Sequence, residues 1–197
     1  MTGSIRSNPK VNPDKEKVIT GLKSKFQHQL QKRRYNLVFY EYLCTPHSSV
    51  IKIFDCDFRK LRMNHYTFSE NLMFGKNMAK GFNVRVYVDV NQWGGKKGIH
   101  FINVKMDACE AIKMVFENQV LSTLLVELRR TSNVPYLCPF KGNYLYSFQN
   151  FSFTDKFLPN FTPLVNFTFG LDFYEFDKLL GTTKISGATN PKVGVKY

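Results

Sequence analysis

The chain is predicted to be mainly β, with one inserted amphipathic helix, and three observations carry that reading. Nineteen Phe, ten Tyr and one Trp among 197 residues are a heavy aromatic load, and such side chains suit pleated, half-buried surfaces. Apolar residues alternate with period two over long stretches, most cleanly in residues 81–90 and 164–174. Residues 107–130 are the stretch that instead carries a sustained apolar stripe at helical spacing.

Residues 1–34 read as a basic arm. Asn8, Pro9, Asn12, Pro13 and dense charge argue for disorder over the first twenty residues. Val18, Leu22, Phe26 and Leu30 offer at most a weak, exposed helix. From Tyr35 the period changes to two. Residues 36–44 and 50–61 are predicted strands separated by the turn cluster Thr45-Pro46-His47-Ser48-Ser49. Residues 66–74 are a weaker strand candidate. In residues 81–90, Phe82, Val84, Val86, Val88 and Val90 share one face and Asn83, Arg85, Tyr87 and Asp89 the other, the pattern of a strand with a dry and a wet side. Trp93-Gly94-Gly95-Lys96 turns the chain, and residues 99–106 run back.

Asp107 suits a helix N-cap, because its carboxylate can accept a first-turn N–H, and Glu110 supplies the reciprocal partner. Ala111, Ile112, Val115, Phe116, Leu121, Leu124, Leu125 and Leu128 form the stripe. Arg129 and Arg130 sit at the negative end of the dipole, and Ser132-Asn133-Val134-Pro135 stops the helix. Residues 143–153 and 164–174 are further strands. In the second, Val165, Phe167, Phe169, Leu171 and Phe173 alternate with Asn166, Thr168, Gly170 and Asp172. The globular domain is therefore expected to span residues 35–177, with 178–197 an irregular segment holding at most one short strand.

Net charge is +13, but residues 1–34 hold nine Lys/Arg against two Asp/Glu, leaving the body at +6. Such an arm can touch nucleic acid or an anionic membrane, yet no DNA-reading motif or stacking pattern accompanies it; nucleic acid is not the expected partner. No run approaches ~18 apolar residues, so no membrane span is expected. Cys44, Cys56, Cys109 and Cys138 contain no Cys-x-x-Cys pair, which disfavours zinc and thioredoxin-like chemistry; two disulfides, in one of three connectivities, are the natural reading. Three sequons, at Asn150, Asn160 and Asn166, fall within 19 residues. Together with the cysteines they point to a secreted glycoprotein. The amino-terminal stretch carries no apolar run of signal-peptide length, so the secreted form is expected to use a different start.

No catalytic centre is expected. His28, His47, His65 and His100 are scattered, and no Gly-x-Ser-x-Gly elbow occurs. Cys44 with His47 and Cys56 with His65 do not recur as a metal-site pair. Asp55/Asp57 and Asp172/Glu175/Asp177 read as solvated strand and turn charges rather than a general acid–base pair. Gly94-Gly95-Lys96-Lys97-Gly98 lacks the spacing and following helix of a phosphate loop. Neither metal nor cofactor is called for.

The order of certain motifs resembles the insect DUF1091 proteins, relatives of the MD-2-related lipid-recognition (ML) domains and of the chemosensory CheB proteins. The residues are Cys44, then Cys56-Asp57-Phe58-Arg59-Lys60-Leu61 after eleven intervening residues, Asn103-Val104-Lys105-Met106-Asp107-Ala108-Cys109, Cys138-Pro139-Phe140-Lys141-Gly142-Asn143-Tyr144, and Phe157-Leu158-Pro159. The resemblance implies an immunoglobulin-like (ML-type) antiparallel β-sandwich that binds a lipid or other apolar small molecule between its sheets. Sequence neighbourhood pairs Cys109 with Cys138 around the helix and Cys44 with Cys56 across the first turn. A sandwich splayed by a helix leaves a cavity, for which Val84, Val86, Phe116, Leu121, Phe167, Phe169 and Phe173 are candidate lining residues. The expected function is a secreted, non-enzymatic carrier or recognition protein, with a membrane receptor as a further expected partner. The alternatives are an interaction module with a filled core and a cytosolic nucleic-acid binder using the arm.

Overall fold

The computed structural model describes residues 33–92, 98–117, 122–135 and 138–192. Among these residues eight strands run in chain order: β1 (Tyr35–Pro46), β2 (Ile51–Arg62), β3 (His65–Phe74), β4 (Phe82–Gln92), β5 (Ile99–Asp107), β6 (Leu145–Thr154), β7 (Val165–Glu175) and β8 (Lys178–Pro191). Two helices, α1 (Ala108–Glu117) and α2 (Ser122–Thr131), are described between β5 and β6. The strands form two antiparallel sheets, a large one in the order β1-β8-β7-β4-β5 and a small one in the order β2-β3-β6. Seven of the strands coincide with the predicted ones to within a few residues. The predicted basic arm, apart from Arg33 and Arg34, and the Trp93-Gly94-Gly95-Lys96 turn fall outside the described residues.

Two expectations are corrected. The single long helix is described as two segments, α1 and α2, with 118–121 outside the described residues. The larger correction concerns the carboxy-terminal segment. Residues 178–191 are not irregular but form the longest strand, β8, hydrogen-bonded between β1 and β7. Its composition hid it. Where β8 faces large neighbours it carries small residues, so the alternation of large apolar side chains is missing. A Cβ on Gly181 would meet Ile51 Cδ1 at 2.5 Å and Phe54 Cε1 at 2.9 Å, and one on Gly187 would meet the Phe167 ring at 2.6 Å. The turn into β8 also lacks the usual signal. Phe176 and Asp177 both take positive φ, 44° and 66°, in a turn more often built from Asn-Gly. Gly181→Val is expected to cost about 1–3 kcal/mol by overpacking, read as a lower urea midpoint with an unchanged slope.

The sheets meet across a shared core. At one end Phe54, Leu72, Phe74 and Tyr146 of the small sheet pack with Phe82, Val84, Phe173 and Leu180 of the large one. At the other, Leu37, Phe39 and Tyr42 pack with Tyr66 and Phe68. Phe39 is the hub, with edge-on rings of Tyr66, Phe68, Phe153 and Phe167 at centroid distances of 5.1, 5.0, 5.4 and 5.7 Å. Edge-to-face pairs of this kind add to the burial energy.

The two sides of the sandwich are closed differently. On one, the Cys44–Cys56 disulfide joins β1 to β2, and so one sheet to the other. On the other, the helices bridge the gap: α1 packs on β4 and β5, and α2 on β6. Asp107 caps α1 as predicted, its Oδ1 accepting from the N–H groups of Cys109 and Glu110, and the Cys109–Cys138 disulfide anchors the start of that helix. The outer edge of β6 is covered: Glu127 of α2 accepts from Ser152 N–H at 3.0 Å, and Asn133 pairs with Ser147 and Leu145. On β5, residues 99–105 are all exposed.

Candidate functional site

In an antiparallel ladder, directly opposed residues project from the same face of the sheet, so the register maps the interior face of the large sheet row by row. Val84 lies between Met106 and Phe173, Val86 between Val104 and Leu171, and Val88 between Ile102 and Phe169. The first row is core: Val84 and Phe173 are buried, and Phe173 stacks on Phe82 at 6.3 Å. The next two rows emerge from it. Val86, Val88 and Phe169 are only half-buried, while Ile102 and Val104 are 39% and 45% exposed. Phe148 and Phe151 of β6, opposite Glu70 and Phe68, are likewise half-buried but pack against the aromatic cluster around Phe39. The result is an apolar surface that starts inside the sandwich and runs out towards the helix-bridged side.

The seven predicted lining residues therefore separate. Val84 and Phe173 belong to packed core, and Phe167 packs against Phe39 in the aromatic cluster. Val86 and Phe169 belong to the emerging surface. Leu121 falls outside the described residues, and of Phe116 only its place in α1 is described. Ile102 and Val104 were passed over because β5 does not alternate cleanly; its register slips by one residue against Val88 and Asp89.

A second feature lies on the disulfide-closed side. Glu70 is buried in the middle of β3, where it alternates with Tyr66, Phe68, Leu72 and Phe74 on the interior face. Tyr42 Oη donates to Glu70 Oε2 at 2.7 Å, and Thr183 Oγ1 lies 3.4 Å from both carboxylate oxygens. Burial pushes Glu70 up to about 7, against the opposing pull of those two donors, and the same burial together with the Glu70 charge pushes the Tyr42 phenol far up. Glu70 was not singled out from the sequence; its place at period two between Phe68 and Leu72 is the signal that could have found it. The sulfurs of Cys44 and Cys56 stand with a Glu70 oxygen within 4.8 Å of one another, a metal-ligand spacing. Each sulfur is bonded to the other, however, and neither is a thiolate able to ligate.

The disulfides pair as predicted, Cys44 with Cys56 and Cys109 with Cys138, with Cα–Cα distances of 5.5 and 5.7 Å. Each stabilises by roughly 2–4 kcal/mol, chiefly by restricting the unfolded chain. Of the sequon residues, Asn150 is exposed in β6, Asn160 lies in the loop before β7, and Asn166 is half-buried near the start of β7. The carboxylates weighed as acid–base candidates are largely paired: Asp172 with Arg85 and Thr182, Glu175 with Lys76, and Asp177 with Lys105, which holds the Asp177 carboxyl below its usual range. His47, His65 and His100 bond Thr182, Ser152 and Asp89 respectively. Among the described residues no helix is long and apolar enough to cross a membrane. The two disulfides are compatible with an extracellular protein.

A family model described as "Protein of unknown function (DUF1091)" matches residues 82–169. The match runs from the start of β4 into β7, and so covers β5, both helices and β6. It supports the DUF1091 family for this chain. No curated protein matches it.

Proposed function

We propose that this chain, DUF1091-like over its central stretch, is a secreted, non-enzymatic protein that binds a lipid or other apolar small molecule between its sheets. The ligand would rest on the surface formed by Val86, Val88, Phe169, Ile102 and Val104, beside the helices. The observation that carries the reading is the continuation of the interior face, row by row, into half-exposed aliphatic side chains. A contiguous apolar surface left open to water marks a binding site more often than a structural one. The β-sandwich, the two disulfides and the kinship of the resembling family with ML and CheB proteins point the same way.

Titration with a fluorescent fatty acid tests this. The parent protein is expected to bind, and Val104→Glu is expected to weaken binding at least about tenfold, because a charge cannot be desolvated against the acyl chain. Val104 is already part-exposed, so thermal stability should hardly change. No binding by the parent, or equal binding by the variant, would contradict the assignment.

A second reading has its own support. Ile99 and Phe101 are 60% and 71% exposed on β5, an edge able to accept a strand from a partner protein such as a membrane receptor. Phe101→Ser would weaken that contact and leave fatty-acid binding intact.

A further inference from the structure

We infer that the outer face of the small sheet carries a seat for the core sugars of an N-linked glycan attached to Asn150. The inference rests on the secretory reading above. A groove of about 310 Å³ opens on this face, within the size range of small-molecule sites. Its walls are polar: Asp55, Asp57 and Arg59 from β2, Asn71 from β3 and Gln149 from β6, with Asn150 itself part of the lining. Neither Asn160 nor Asn166 lines it.

The fold shapes this groove through a bulge. Phe68 pairs with Phe151 and Glu70 with Phe148, so Gln149 and Asn150 together face the single residue Ser69. A bulge of this kind re-aims the side chains it carries. Asn150 takes φ 56°, a left-handed conformation that Asn adopts more readily than most residues, and its N–H donates to Ser69 Oγ at 3.0 Å. The acceptor residue is thus held in place at the groove. The walls are already ordered: Gln149 Nε2 donates to Asn71 Oδ1 at 2.9 Å, and Arg59 Nε to Asp57 Oδ2 at 3.1 Å. Among the described residues nothing pairs with the Asp55 carboxylate. Carboxylates, carboxamides and a guanidinium supply the acceptors and donors that sugar hydroxyls and an N-acetyl group need.

Attachment itself is ordinary secretory chemistry. The Asn150 amide nitrogen attacks the anomeric carbon of a lipid-pyrophosphate-linked oligosaccharide, the C–N bond forms, the lipid pyrophosphate leaves, and the nitrogen loses one proton. What the groove adds is a place for the first sugars to lie once the chain has folded.

The test uses the full chain secreted from insect cells, with glycopeptide mass spectrometry at each sequon during native digestion by peptide N-glycosidase. Release at Asn150 is expected to be about tenfold slower than at Asn160 or Asn166, the effect of a few sugar–protein hydrogen bonds, and to equalise after denaturation. Asp55→Ser with Asn71→Ser, both outside the core, should bring native release at Asn150 up to that of the other sites. An Asn150 left unmodified while the others are occupied, or released as fast as they are, overturns the seat and leaves the secretory reading standing. Absence of sugar at all three sites in protein that reaches the medium also overturns it. A chain that never enters the medium overturns the secretory reading, and the seat with it.

Discussion

Phe39→Ala is expected to be the most damaging single substitution, costing about 3–5 kcal/mol as a large aromatic removed from a packed core. Phe39 is 9% exposed and touches four rings edge-on, from β3, β6 and β7, so no one neighbour can collapse into the space it leaves. It also joins the two sheets, since Tyr66, Phe68 and Phe153 belong to the small one and Phe167 to the large. Equilibrium urea denaturation should show the loss as a lower midpoint with an unchanged slope. A shift of less than about 1.5 kcal/mol, the range of a tolerated volume-conserving swap, would mean that the aromatic cluster does not unite the sheets.

Glu70→Gln is expected to change the pH dependence of stability by about 3 kcal/mol. Burial raises the carboxyl from its ordinary 4.5 to about 7, and each unit is worth about 1.4 kcal/mol. Below pH 4.5 the group is protonated both folded and unfolded, and its contribution is fully present. As pH rises from 4.5 towards 7 the unfolded chain ionises first, unfolding releases a proton, and stability falls. Above 7 both states are ionised and the loss is complete. Glutamine keeps the acceptor for Tyr42 and cannot ionise, so the parent should lose about 3 kcal/mol relative to the variant between pH 4.5 and 8. Taking that difference cancels the other groups. Glu41 and Glu127, held below their usual range by Lys184 with Ser186 and by Arg130 respectively, contribute stability that is lost as pH falls, equally in both proteins. Parallel stability curves would show that Glu70 reaches water.

The sequence revealed strands wherever side-chain size alternated, and failed where backbone pairing ran without it. In residues 35–74 and 82–92 large apolar groups recur at period two over much of each strand, and those strands fell where the pattern put them. The weakest-rated of them, β3, has the most regular burial of all; Ser69, Glu70 and Asn71 had diluted its apolar signal. In β8 the logic is inverted. Gly181 and Gly187 are small because Ile51 with Phe54, and Phe167, fill the space above them, while Thr183 and Ser186 are polar and bond Glu70 and Glu41, which only the paired register reveals. The candidate site divides in the same way. Val86 and Phe169 were legible from their own strands, whereas Ile102 and Val104 depend on the register between β4 and β5, which a slip at Val88 and Asp89 conceals from local periodicity.

The proposed function requires the space beside β4, β5 and the helices to hold an apolar guest. Native mass spectrometry of the protein secreted from insect cells, followed by organic extraction, measures this. A one-to-one adduct that is released by solvent, identified as lipid or hydrocarbon, and displaced by added fatty acid is the predicted result. A mass equal to the glycosylated polypeptide alone, with no adduct forming when fatty acid is supplied, would contradict it.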